Sequence, residues 1–149
     1  GALGKDEVGY ALRSKLMPLA TIVTPNLPEA RILAELPNGT ADECAAVLLQ
    51  HCEHLLITGG HGDEQEVHNR LYCADGSTHT FKCARLPGEY HGSGCTLAST
   101  LAGRLAIGQE LVSAVEFALN YTWRTLRDAE APGRGQYIPR RLPLDFCRS

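Results

Sequence analysis

Tyr90-His91-Gly92-Ser93-Gly94-Cys95-Thr96-Leu97-Ala98-Ser99 is the stretch on which the reading of this chain turns. Two glycines flank a serine, and a cysteine follows at once. Leu101, Ala102, Leu105 and Ala106 then continue an apolar pattern at helical spacing. The pattern predicts a glycine-rich loop that becomes a helix near Gly94. The first N–H groups of a helix have no carbonyl partner inside it, and with the helix dipole they favour an anion at that end. Glycine removes the Cβ atoms that would hold a phosphate at a distance, and the same field favours a thiolate at Cys95. Two plainer readings stand beside this one: a tight turn before a helix, and a small core cysteine.

Downstream, the helix is expected to reach about Ile107, and Gly108 separates it from a longer one. Leu111, Val115, Ala118, Leu119, Thr122 and Leu126 mark the apolar face of that second helix, and Pro132-Gly133-Arg134-Gly135 breaks it. Tyr137 to Ser149 reads as an irregular tail.

Upstream, Lys5 to Met17 carries Val8, Ala11, Leu12 and Leu16 near helical spacing, with Pro18 as a stop. Ala20 to Thr24 is a short β-branched run, predicted as a buried parallel strand that Pro25 ends. Asn26-Leu27-Pro28-Glu29 opens a helix with body Ala30 to Leu36. Thr40-Ala41-Asp42-Glu43 has the spacing of a capping box, and its helix runs to about His51. His54 to Thr58 is a second short strand that empties into Gly59-Gly60-His61-Gly62. Two alternating runs follow, Val67 to Cys73 and Thr78 to Ala84, joined by the hairpin signal Asp75-Gly76. Strands that alternate with helices, plus a hairpin, predict an α/β layer with a mainly parallel sheet.

The 149 residues suffice for one domain, 1–149, with a real core. Hydrophobic residues at 44% and charged residues at 21% are ordinary globular usage. A net charge of −3 offers no broad basic surface for nucleic acid, and no apolar run reaches the length of a membrane span. The six cysteines form no C-x-x-C pair and the histidines add no zinc spacing, so reduced cysteines in a cytoplasmic protein are expected. Cys44 and Cys52 read as helix core residues, and the hairpin register sets Cys73 and Cys83 out of line.

Ligands of open parallel sheets bind beyond the carboxyl ends of the strands. The loops at Pro25 to Glu29, Thr58 to Gly62 and His91 to Cys95 are therefore expected on one rim. Asn26 and Glu29 place an amide and a carboxylate where a magnesium–phosphate complex needs few protein ligands. The same residues make a good helix start, with Asn26 as N-cap and Glu29 at the third helical position, and both roles can coexist. Thr58 with the following glycines reads either as a phosphate approach or as a strand-to-turn junction. No Walker-type loop occurs.

Taken in order, Val23-Thr24-Pro25-Asn26-Leu27-Pro28-Glu29-Ala30, Ile57-Thr58-Gly59-Gly60-His61 and His91-Gly92-Ser93-Gly94-Cys95-Thr96-Leu97 resemble the hydroxymethylpyrimidine/phosphomethylpyrimidine kinases of thiamine biosynthesis, within the ribokinase-like superfamily. The resemblance covers essentially the whole chain. Most ribokinase-like enzymes carry Asp at the position of Cys95, whereas the pyrimidine kinases and some vitamin B6 kinases carry Cys.

The resemblance implies a three-layer α/β fold, with ATP and Mg2+ as cofactors. It implies phosphorylation of 4-amino-5-hydroxymethyl-2-methylpyrimidine and then of its monophosphate. By position, Cys95 is the general base on the substrate hydroxyl. Gly92, Ser93, Gly94 and Cys95 offer backbone N–H groups to the moving phosphoryl group. Asn26 and Glu29 lie near magnesium and phosphate, with Thr58, Gly60 and His91 at the nucleotide edge, and magnesium is reached through phosphates and water. A pyridoxal-type kinase of the same fold and a non-catalytic nucleotide-binding fragment are the alternatives. The expected partners are ATP and a small pyrimidine, without nucleic acid or membrane; a homodimer is compatible with the reading.

Two departures stand out. Many pyrimidine kinases have Lys where Thr58 stands, so another cation is expected to compensate. The chain also opens where the family's first strands would already have passed. It is therefore expected to represent the C-terminal half of the fold, weak or inactive alone and with apolar surface exposed.

Overall fold

The computed structural model describes residues 5–59, 65–131 and 135–142, which fall in two units, Gly1–Arg85 and Leu86–Ser149.

In the first unit the opening helix is shorter than its apolar spacing predicts. α1 (Lys5–Ala11) gives way to a π turn over Leu12–Leu16 and a 3-10 turn over Met17–Leu19. Pro18 has no N–H for the helix ladder and its ring crowds the preceding turn. The Ser14 hydroxyl also takes up the Tyr10 carbonyl, at 2.7 Å, and so competes with the backbone there. Met17 is buried, but Val8, Leu12, Leu16 and Leu19 are exposed. The apolar residues at helical spacing here therefore do not form a buried face among the described residues.

α2 (Leu27–Ala34) and α3 (Ala41–Leu48) start where their caps place them. In α3 the Glu43 N–H donates to Thr40 Oγ1 (3.2 Å) and the Thr40 N–H donates to Glu43 Oε2 (2.8 Å), a reciprocal capping box. That bond from the Thr40 backbone holds the Glu43 carboxyl below its ordinary range. Cys44, Ala45 and Leu48 of α3 pack with Ala30 and Ala34 of α2 and with Leu55 and Ile57. Cys52 is buried in the turn beyond α3, and burial pushes its thiol up to about 11.

The strands are β1 (His54–Ile57), β2 (Glu66–Cys73) and β3 (Thr78–Ala84), in the order β1-β2-β3 with both pairs antiparallel. The α/β reading holds, but the continuous ladders among the described residues are antiparallel. Among the described residues of this unit, parallel pairing is confined to two bridges, Val23↔Leu55 and Asn26↔Thr58. The segment expected as a strand over Ala20 to Thr24 is reduced to the one bridge at Val23, because Pro25 has no N–H to give at its place in the ladder. Pairing nevertheless passes Pro25, whose carbonyl accepts from the Thr58 N–H (2.9 Å).

The hairpin turns at Asp75-Gly76, where Gly76 takes φ +87° and the Ser77 N–H donates to Asp75 Oδ1 (2.8 Å). Cys83 faces Val67 and Cys73 faces His54, and the described cysteines are all free. The Tyr72 hydroxyl donates to Asp42 Oδ1 (2.7 Å) and ties β2 to the first turn of α3.

The second unit is a pair of helices, α4 (Ser93–Ala106) and α5 (Leu111–Arg127). Glu110 caps α5 by accepting from the Val112 and Ser113 N–H groups, both at 3.1 Å. Leu97 and Leu101 of α4 are buried, as are Ala114, Val115, Ala118, Thr122 and Thr125 of α5. Val115, Ala118 and Thr122 of the expected face are thus buried, Leu111, Leu119 and Leu126 are only half-buried, and Ala114 and Thr125, small enough to let two helices approach, join the stripe. The described part of the tail, as far as Leu142, is less irregular than its composition suggests. Tyr137 bridges to Tyr90 and Ile138 to Glu130. No described helix is long and apolar enough to cross a membrane.

Candidate functional site

In the second unit, two tail residues, Tyr137 and Arg141, and one loop build a single end of α4. The His91 N–H donates to the Tyr137 carbonyl (3.0 Å) and the Tyr137 N–H to the Glu89 carbonyl (2.9 Å). The Tyr90 and Tyr137 rings lie 5.7 Å apart. Gly92 is the N-cap and sits in the left-handed region at φ +88°, which turns the chain from this bridge into the helix. The Thr96 hydroxyl then donates to the Gly92 carbonyl (2.8 Å).

α4 differs from its neighbours at this end. Asn26, Thr40 and Glu110 close the starts of α2, α3 and α5 with side-chain oxygens, whereas no side chain among the described residues caps α4. The first-turn N–H groups of Ser93, Gly94 and Cys95 are thus presented outward. A Cβ placed at Gly94 meets nothing within 4 Å among the described residues, so none of their contacts requires the absence of a side chain there. Cys95 is exposed, not a core cysteine. His91 is exposed beside it.

Arg141 also reaches this end of the helix. Its Nε donates to Thr96 Oγ1 (3.0 Å), and its carbonyl accepts from the Tyr121 hydroxyl. A Cβ on Gly92 would lie 2.9 Å from Arg141 Nη2, so the guanidinium covers the bare Cα. Sequence reasoning missed this residue: Arg141 lies in a stretch without periodicity, and nothing local ties it to Thr96.

In the first unit, Asn26 and Glu29 form a second capping box. The Glu29 N–H donates to Asn26 Oδ1 (2.8 Å) and the Asn26 N–H to Glu29 Oε2 (2.9 Å). The helix-start reading is therefore present in full. It engages one oxygen of each side chain, and Glu29 is exposed. Thr58 is brought against this cap, since the Leu27 N–H donates to the Thr58 carbonyl (3.3 Å).

Gly59 has a packing reason: its Cβ would fall 2.5 Å from the His68 carbonyl oxygen. Its N–H donates to Oδ1 of the buried Asn69 (3.2 Å), a contact the sequence did not signal. The junction reading accounts for Gly59. Gly60 and His61 lie outside the described residues.

Among the described residues, no three His, Cys, Asp or Glu side chains gather as a metal cage. A cation held mostly by phosphate oxygens and water needs no such cage.

Residues 1–140 match the family described as phosphomethylpyrimidine kinase. A hydroxymethylpyrimidine/phosphomethylpyrimidine kinase of Mycobacterium tuberculosis is 38% identical over 130 residues, covering 84% of this chain and 47% of the relative. One from Synechococcus elongatus is 34% identical over 142 residues, covering 91% and 54%. The chain spans about half the length of these curated relatives. Among solved structures, the ADP complex of Bacillus subtilis pyridoxal kinase superposes with a TM-score of 0.86 at 24% identity, over 97% of this chain and 58% of that one. At that identity the likeness establishes the fold, which is the ribokinase-like α/β fold.

Proposed function

This chain belongs to the phosphomethylpyrimidine kinase family, and from that we propose that the protein transfers the terminal phosphoryl group of ATP to the hydroxymethyl oxygen of 4-amino-5-hydroxymethyl-2-methylpyrimidine. A second transfer, to the phosphate of the resulting monophosphate, gives the diphosphate for thiamine biosynthesis. The observation that carries this reading is the open, uncapped start of α4, with Cys95 exposed on its first turn.

Phosphoryl transfer asks for positioning and charge stabilisation more than for covalent chemistry. In the first step the substrate oxygen forms the new O–P bond while the bond between the γ-phosphorus and the leaving ADP oxygen breaks. The hydroxyl proton passes to the sulfur of Cys95, acting as a thiolate general base. The N–H groups of Ser93, Gly94 and Cys95, presented by the turn at Gly92, donate to the phosphoryl oxygens where negative charge gathers.

Asn26 and Glu29 contribute near the magnesium–phosphate complex, through the groups that their capping box leaves uncommitted. Mg2+, when bound, neutralises phosphate charge. Thr58, Gly60 and His91 border the nucleotide. We assign both units to one kinase domain and its setting to the cytoplasm.

The test is product formation by the complete protein, with ATP and magnesium, on the hydroxymethylpyrimidine and on pyridoxal in competition. Phosphorylated pyrimidine in excess supports the assignment. Phosphorylated pyridoxal in excess transfers it to the vitamin B6 kinases. ATP protection of the chain without either product makes it a nucleotide-binding module.

A further inference from the structure

We propose that Arg141 is the cation of the phosphoryl seat at the start of α4, and that the tail from Tyr137 to Arg141 is the clasp that delivers it. The inference rests on the phosphoryl-binding reading of residues 92–95.

Three features fit Arg141 for this work. Its Nε is committed to Thr96 Oγ1, within the first turn of the helix, which fixes the plane of the guanidinium. Its Nη2 lies over Gly92, the residue that turns the chain into the uncapped N–H groups. No carboxylate pairs with it among the described residues, whereas Arg13, Arg70, Arg127 and Arg140 each have one. An arginine held by one edge keeps its other N–H donors in a planar fork, a geometry that matches two oxygens of a phosphoryl group. A lysine offers the charge without the fork and without an Nε for Thr96.

The clasp is built to bring the charge to that place. Arg140 N–H donates to the Thr125 carbonyl (2.9 Å), and the Arg140 side chain pairs with Glu130 (2.8 Å). The Tyr121 hydroxyl holds the Arg141 carbonyl. Backbone and side-chain bonds from α5 therefore fix the chain on both sides of the Arg140–Arg141 peptide.

The experiment uses the complete protein with Arg141→Gln, Arg141→Lys and Tyr121→Phe. Binding of a non-hydrolysable ATP analogue and of ADP is followed by the amide signal of Gly94, with thermal midpoints as a folding control. The shared ligand chemistry is a phosphoryl group, and its source decides which arm moves. If the source is ATP, Arg141→Gln weakens the analogue at least tenfold and ADP much less. If it is the pyrimidine monophosphate, only kcat/KM of the second transfer falls tenfold or more.

In either arm Arg141→Lys recovers part of the loss, and Tyr121→Phe, which loosens the clasp without removing charge, loses less than Arg141→Gln. The proposal is overturned if the parent does not bind the analogue, if neither arm moves, if Lys is no better than Gln, or if Tyr121→Phe matches Arg141→Gln. Analogue binding that depends on Arg141, in a protein that phosphorylates neither pyrimidine nor pyridoxal, overturns the proposed reaction and leaves this assignment standing.

Discussion

Asn26 and Thr58 face each other in a parallel bridge, and the Leu27 N–H that follows the cap donates to the Thr58 carbonyl. One helix start and one strand exit are thereby locked into a single corner. The Asn26 side chain closes the helix while the backbone on its C-terminal side closes the strand.

Asn26→Ala removes the acceptor for the Glu29 N–H and is expected to cost about 1 kcal/mol, as lost N-caps do. Asn26→Ser restores a capping oxygen. Urea denaturation of the three proteins reads this directly. If Asn26 also serves the nucleotide, Asn26→Ser regains stability but not the rate of ATP turnover. Recovery of both would reduce Asn26 to a cap.

Gly59→Ala tests a different demand. The added methyl would sit 2.5 Å from the His68 carbonyl oxygen, a backbone atom that cannot swing away. The Gly59 bond to Asn69 is strained by the same displacement. The expected destabilisation is about 1–3 kcal/mol, in the range of overpacked interiors. A variant as stable as the parent would mean that β2 yields at His68 without cost, and Gly59 would then need another explanation.

What the sequence made legible was mostly local. Both capping boxes lie within four residues, so Asn26 with Glu29 and Thr40 with Glu43 could be read from spacing. The turn at Gly76 and the helix start at Gly92 carry their own glycines. Partners far apart in the chain were not legible. An apolar run such as His54 to Ile57 does not say whether its neighbour is parallel or antiparallel. Val8 and Leu16 keep helical spacing although neither is buried. The contact of Arg141 with Thr96 depends on the path of the tail, which no periodicity encodes.

Tyr72 gives the stability of the first unit a dependence on alkaline pH. Burial, and then its hydrogen bond to Asp42, push the phenol up to about 12 from an ordinary value near 10. Between those values the unfolded chain gives up its proton while the folded chain keeps it, so unfolding is favoured as pH rises. The contribution is intact below about pH 10 and is lost as pH climbs through 12. Cys52, raised to about 11, adds a loss of the same sign that begins lower, near its ordinary value of 9. Denaturation midpoints from pH 9 upward should fall more steeply for the parent than for Tyr72→Phe. Parallel curves would mean that Tyr72 ionises as freely in the fold as outside it.

Cys95 is where the proposed chemistry is most exposed to refutation. It lies on the first turn of an uncapped helix and is open to solvent, so Cys95→Ala leaves the helix and its N–H groups in place. The complete protein should then bind ATP with a KM within a few fold of the parent, while kcat falls by roughly 10²–10⁴, the worth of a positioned general base. Cys95→Asp, which supplies a carboxylate at the same position, should regain part of that loss. A KM that rises with kcat unchanged would place the sulfur beside the nucleotide, outside the proton transfer. Turnover unaffected by either substitution would leave the N–H groups of Ser93 and Gly94 as the working part of this helix end.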